Sequence, residues 1–161
     1  MSYTTQKAAI IAILNAVTGI GNVYGEPQDV KDEANFKTKF VKSSKINTVW
    51  LSRENAEEKD SSDYAFSDGA DEIQQTDQDE FWSLTMLYGF AFSPASEDIF
   101  QPIVDLIETA FRFVAPITGS YKVFPLQRLK NGAGSFVFTN GTYMCHQVVW
   151  RLRIKNLFIK S

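Results

Sequence analysis

The sequence predicts an α+β domain: an antiparallel sheet with two helices packed on one face and a long acidic loop. Three observations carry this. Residues 143–155 alternate with a period of two, placing Met144, His146, Val148, Trp150, Leu152 and Ile154 on one face, while the other ends in Arg151, Arg153 and Lys155. Residues 81–92 repeat the pattern, with Trp82, Leu84, Met86, Tyr88, Phe90 and Phe92 together and small or polar residues opposite, Leu87 excepted. Two other segments space their apolar residues as helices do. The two alternating segments should pair antiparallel with their apolar faces on one side, and the helices should cover that side.

The elements follow in order. Thr4 or Thr5 can cap a helix running to about Val17, whose stripe is Ile10, Ile13, Leu14 and Val17, with Ile11 beside it. Gly19 and Gly21 end it in a turn-rich link. Residues 36–42 alternate weakly, with Phe36, Thr38 and Phe40 on one face and Lys37, Lys39 and Val41 on the other. With a turn at Ser43-Ser44 and a return strand over 46–52, they read as a hairpin. Residues 53–79 hold few apolar side chains, chiefly Tyr64, Phe66 and Ile73, and read as a solvated loop or as an arm that orders against a partner.

After the strand over 81–92, Ser93-Pro94 is a break, and Ser96, Glu97 and Asp98 resemble a helix start. That helix runs to about Val114, with Pro102 moving its regular part toward Phe100. Phe100, Ile103, Val104, Ile107, Phe111 and Val114 make its stripe, and Leu106, Ala110 and Phe113 widen it to more than one covered side. Residues 121–129 form a strand that Pro125 confines to an edge or a bulge. The asparagine-glycine pairs at 131–132 and 140–141 mark turns around the short strand 135–139, which pairs with the start of the last strand.

The 161 residues suffice for one domain, 1–161, and a chain 44% hydrophobic and 14% aromatic can fill a core. The net charge of −3 hides an asymmetry. Residues 54–80 carry eleven acids against the single base Lys59, so that stretch is −10 and the remainder +7. Cys145 is the only cysteine, so no disulfide forms within the chain, and a reducing compartment fits. No apolar run reaches the ~20 residues of a membrane span. The N-terminus reads as an amphipathic helix rather than a signal peptide, since it is weakly charged and lacks a small-x-small cleavage site.

Catalytic motifs are missing from the sequence. His146 is the only histidine and lies on an apolar strand face, which fits core packing better than catalysis. Cys145 next to it points to the opposite face, so the two form no local pair. Gly19-Ile20-Gly21 lacks the rest of a phosphate loop, and no zinc, serine-hydrolase or metalloprotease spacing occurs. Asp77, Asp79 and Glu80, or Asp68, Asp71 and Glu72, offer oxygen ligands for a hard cation without following a calcium-loop spacing. Asn140-Gly141-Thr142 matches a glycosylation sequon and reads as a turn. The cations Arg151, Arg153, Lys155, Lys37 and Lys39 could track phosphates, but a pI of about 5.2 argues against tight nucleic-acid binding. They suit an acidic surface on a neighbouring subunit better. The reading is of a non-enzyme without cofactor or metal.

The order of features resembles the tail terminator (tail completion) proteins of long-tailed bacteriophages. It comprises a short helix ending in a glycine turn (AIIAILNAVTGIGNVYGEP), a hairpin, a variable loop, the strand FWSLTMLYGFAF, a helix with SEDIFQPIVDLIETAF and the long strand HQVVWRLRIKN. The resemblance covers nearly the whole chain. It implies a structural virion protein, assembled in the bacterial host cytoplasm, that forms a homo-oligomeric ring, typically a hexamer, at the head-proximal end of the tail tube. Such a ring stops tube polymerisation and offers the head-tail joining surface. Its partners would be further copies of itself, the tail tube protein and a head completion or connector protein, with DNA passing through without specific binding and no membrane contact. Another neck or tube component, or a soluble protein-binding module without viral role, are the alternatives. On the ring reading, the acidic arm, with Tyr64, Phe66, Asp68, Asp71, Glu72 and Ile73, meets a neighbour or faces the channel. Arg151, Arg153 and Lys155, with Lys37 and Lys39, make the matching patch.

Overall fold

The computed structural model describes residues 3–54, 57–59, 74–89, 94–117, 120, 122–138 and 141–160, with the backbone alone at 57–59, 74–77, 94, 136, 138 and 157–160. The chain opens with helix α1 (Tyr3–Ala16), which buries Gln6, Ile10 and Leu14 and ends in a turn where Gly19 has φ +94°. A short strand β1 (Asn22–Tyr24) leads to helix α2 (Glu33–Phe40) and the two-residue strand β2 (Val41–Lys42). Strand β3 (Lys45–Arg53) follows, then β4 (Glu57–Lys59), β5 (Gln74–Tyr88) and helix α3 (Pro94–Arg112). The chain ends with β6 (Lys122–Val123), β7 (Gln127–Phe138) and β8 (Gly141–Lys160).

The sheet is ordered β1-β3-β5-β8-β6, with β7 following β6 along the same side of β8 and β4 pairing with β5. It is mixed. The β5–β8 and β3–β5 pairs are antiparallel, but β1 lies parallel to β3, with Val23 opposite Val49. The wholly antiparallel sheet expected from sequence is thus corrected. The link from β1 to β3 runs through α2 and β2 as a crossover rather than a tight hairpin, and a crossover delivers a parallel strand.

The central pairing is the one the alternation predicts. Trp82 faces Leu152, Leu84 faces Trp150 and Met86 faces Val148, all fully buried. With Val49 and Leu51 of β3 they meet Ile10 and Leu14 of α1 and Phe100, Val104, Ile107 and Phe111 of α3 in the main core. Full burial of one such side chain is worth roughly 1.5–3 kcal/mol. Leu106 and Phe113, expected to be covered, are 48% and 84% exposed, because α3 turns only its narrower stripe to the sheet. It also begins at Pro94, with Pro102 inside it on the solvent side.

Residues 33–40 are helix and not the expected strand. Asp32 caps them, its carboxylate accepting from the Asn35 N–H at 2.7 Å, and Phe36 and Phe40 fall on one face of the resulting helix. A tertiary contact overrides the weak alternation: both phenylalanines are buried against Ile46, Leu87 and Cys145 on the face of the sheet opposite α1 and α3. Two helices on one face and a third on the other therefore replace the two-helix layer. Ser43 and Ser44 do make the expected turn, both with positive φ, as a two-residue hairpin connection demands.

Of the acidic stretch, the described residues 57–59 and 74–80 are strand. β4 pairs with β5 through Glu58 opposite Gln78, and β5 begins at Gln74, so residues 74–80 belong to the sheet. Residues 60–73 and Phe90 and Phe92 lie outside the described residues. The turn expected at 131–134 is instead inside β7, which runs unbroken past it with a bulge between Arg128 and Lys130. Gly134 is used there for close approach: a Cβ would come within 3.2 Å of Cys145 Sγ and 3.4 Å of Leu87 Cδ2. β8 extends five residues beyond the predicted end, to Lys160.

Candidate functional site

The face of the sheet opposite α1 and α3 carries Arg151, Arg153 and Lys155 of the residues singled out from sequence, and it has two halves. At one end, odd-numbered residues of β5 and β8 line a cleft of about 410 Å³ with Asp79, Phe81, Arg151 and Arg153, closed on one side by Phe124, Pro125 and Gln127. Alternation places them there: Asp79 is opposite Lys155, Phe81 opposite Arg153, and Ser83 opposite Arg151.

The cations of this cleft are held within the chain. Arg153 donates from Nε to Asp79 Oδ1 at 3.0 Å and from Nη2 to Oδ2 at 2.7 Å, a two-pronged grip on a carboxylate only 6% exposed. Its guanidinium also lies over Phe124, 4.4 Å from the ring centroid. Arg151 Nε is 2.8 Å from Glu54 Oε2, as an ion pair out of line with the N–H, and its guanidinium lies over Phe81. Lys155 stands between Asp79 on β5 and Lys122 on β6, and Lys122 lies over Phe124. Two of the acids counted in the acidic stretch, Glu54 and Asp79, thus neutralise two cations of the basic strand. Lys122, exposed and over the Phe124 ring, adds a further cation beside the cleft.

Lys37 and Lys39 do not join this patch. They lie on α2, where Lys37 pairs with Glu33 at 2.7 Å and stands over Tyr143, while Lys39 Nζ donates to the Asp29 carbonyl at 2.7 Å. The Lys37 ammonium is held above its ordinary value by hydrogen bonding to Glu33 and Tyr143. Tyr64, Phe66, Asp68, Asp71, Glu72 and Ile73 lie outside the described residues.

The other half of the face is apolar. Val30, Phe40, Trp50 and Leu87, with Pro27, Gln28, Gly134, Ser135 and Gln147, line a pocket of about 260 Å³ between α2 and β7. Phe40 meets Trp50 edge to face at 5.9 Å. Sequence reading missed this pocket because it treated 36–40 as strand; the Asp32 cap ahead of the Phe36–Phe40 spacing of four is the signal that could have found it.

The expected packing role of His146 agrees with its surroundings. It is 6% exposed, stacks on Phe100 at 5.0 Å, and its Nε2 lies 2.8 Å from Ser96 Oγ. Burial lowers the pKa of the ring, with Glu97 pulling weakly the other way. Cys145 is fully buried on the other face, and burial pushes its thiol up to about 11. Asp79 and Glu80, offered together as cation ligands, point to opposite faces: Asp79 to Arg153 and Glu80 to Arg53 at 3.2 Å. Among the described residues no group of three or more histidine, cysteine or carboxylate side chains is placed to hold a metal. Likewise, no described helix is long and apolar enough to cross a membrane.

A comparison with protein-family models and one with curated proteins each found no match to this chain. The site's geometry and the chemistry of its residues therefore carry the functional argument.

Proposed function

We propose that this chain is a structural virion protein that assembles as a ring at the head-proximal end of a phage tail tube, ending tube growth and offering the joining surface for the head. The observation that supports the reading best is the inequality of the two edges of the sheet. One edge is β7, twelve residues long, with no described strand on its outer side and with Leu129 and Val137 47% and 77% exposed. The other is the three-residue β1. A long bare edge invites pairing with another chain. Two unlike edges on one chain suit a head-to-tail contact, and such contacts, when they close, make rings. The exposed cation Lys122 suits the acidic 60–73 segment of a neighbour.

Electron microscopy of a phage lysate lacking this one protein tests the role. Overlong tail tubes, or tails that fail to join heads, are expected. Tubes of normal length joined to heads would remove the terminator role. The 260 Å³ apolar pocket favours the second reading, a protein-binding module without viral role.

A further inference from the structure

We propose that α3 is a pairing helix whose outward face packs antiparallel against α3 of a second copy, about a twofold axis. The inference goes beyond the ring reading and uses neither the sheet edges nor the pocket between α2 and β7. Phe100, Val104, Ile107 and Phe111 of α3 face the core, and a second apolar stripe faces outward. Ile99, Leu106 and Phe113, seven residues apart, are 48%, 48% and 84% exposed, Phe113 directly following the last turn. Ala95, Pro102 and Thr109, also exposed and seven apart, lie alongside them. Two interleaved sets at that spacing form the seam by which one helix packs along another. At 1.5 Å per residue the seam from Ala95 to Phe113 is about 27 Å long. Helix α1, on the same face of the sheet, carries Lys7 as its one charged residue and exposes Thr4, Ala8 and Ala12, so the surface beside the seam is poor in charge as well.

Size and charge along the seam both select a second, antiparallel copy. The large side chains belong to one set and the small ones to the other. An antiparallel pair brings the two sets together: Ile99 meets Thr109, Leu106 meets Pro102 and Phe113 meets Ala95 of the second copy. Every layer then sets a large residue against a small one, and the helices interdigitate. A parallel pair would stack large on large and small on small. Asp98, Asp105 and Arg112, again seven apart, are exposed along one flank of the seam. The antiparallel register places Asp98 of each copy beside Arg112 of the other, twice across the axis, whereas a parallel one would set like charges together. Among the described residues neither Asp98 nor Arg112 is in an ion pair of its own chain. Asp105, which meets its own copy near the axis, has Arg128 at 3.8 Å to offset its charge. The same patch on both copies is what a twofold contact requires.

Sedimentation equilibrium of the full-length chain over a concentration series, with circular dichroism as the folding control, tests this. The wild type is expected to dimerise reversibly. Leu106→Glu, at a half-exposed position outside the core, should weaken dimerisation tenfold or more at unchanged secondary structure. Asp98→Arg and Arg112→Asp should each weaken it, and the double variant should restore it, because both charge pairs re-form with reversed sign. Mild oxidation reads the orientation: Phe113→Cys and Ala95→Cys chains should crosslink when mixed, and neither should crosslink with itself. The native Cys145 is buried and takes no part. A wild-type chain monomeric at every concentration, association unmoved by Leu106→Glu, or Phe113→Cys chains that crosslink with themselves would each overturn the pairing. Tail-tube lengths decide the terminator role independently of these outcomes.

Discussion

Arg153 on β8 and Asp79 on β5 are joined by two parallel hydrogen bonds, at 3.0 Å and 2.7 Å, across the open face of the sheet. The pair turns a strand that reads as a basic stripe into one that is largely neutralised within its own chain. Asp79 is 5% exposed, and the guanidinium supplies donors to both of its carboxylate oxygens. Arg153→Ala should therefore cost about 2 kcal/mol, the scale for stranding a buried charged acceptor. Asp79→Asn in the same chain should recover part of that loss. Urea unfolding of the two single variants and the double variant measures the coupling, and additive losses would show that the pair is not the source.

Glu108 on α3 accepts from Trp150 Nε1 at 2.8 Å and from Arg128 Nε at 2.7 Å, linking the helix to β8 and β7. Burial alone would raise its carboxyl, but the bonds from Arg128 and Trp150 outweigh burial and hold it below the ordinary 4.5. A depressed folded value stabilises the protein above the unfolded pKa, and that share is lost as pH falls through the folded one. Glu108→Ala should cost about 1–3 kcal/mol by leaving the indole N–H unpaired and should flatten the acid limb of a plot of melting temperature against pH.

His146 gives a second, higher window. Its folded pKa lies below the ordinary 6.5, so both states are neutral above that value and no pH dependence arises there. Below it the unfolded chain takes up the proton first, and stability falls as pH drops toward the folded value. Melting temperatures at pH 7.5 and 5.5 should differ in the wild type and differ less in His146→Gln. An equal drop in both would assign the effect to carboxylates instead.

Cys145 should be inert in the native protein. It is fully buried, its thiol is pushed up to about 11, and its Sγ donates to the Gly134 carbonyl at 3.5 Å. A thiol reagent at pH 8 should label it at the rate of unfolding and not faster. Gly134→Ala, which brings a methyl group to 3.2 Å from that sulfur, should destabilise the α2 side of the sheet and speed the labelling.

The parts of the fold that could be read directly are those governed by local period. Trp82, Leu84 and Met86 on one side of a strand, and Val148, Trp150 and Leu152 on one side of another, declare their faces because successive side chains in a strand alternate. The α1 stripe through Ile10 and Leu14 and the Ser43-Ser44 turn follow from the same short-range rules. Where period was weak, tertiary contacts decided. Phe36 and Phe40 suit either a strand or a helix, and the buried surface offered by Ile46, Leu87 and Cys145 selects the helix.

The candidate site was less legible. Arg151 and Arg153 were correctly placed on one strand face, but their partners Glu54 and Asp79 lie about a hundred and about seventy residues away in the chain and read as loop acids. Charge composition counts such groups without knowing which ones meet. Residue spacing along one chain determines which side chains share a face. Which faces are then covered, which charges cancel, and that Phe113 stands exposed while Phe111 is buried depend on where distant elements come to rest, because burial and pairing are properties of contacts between segments and not of any segment alone.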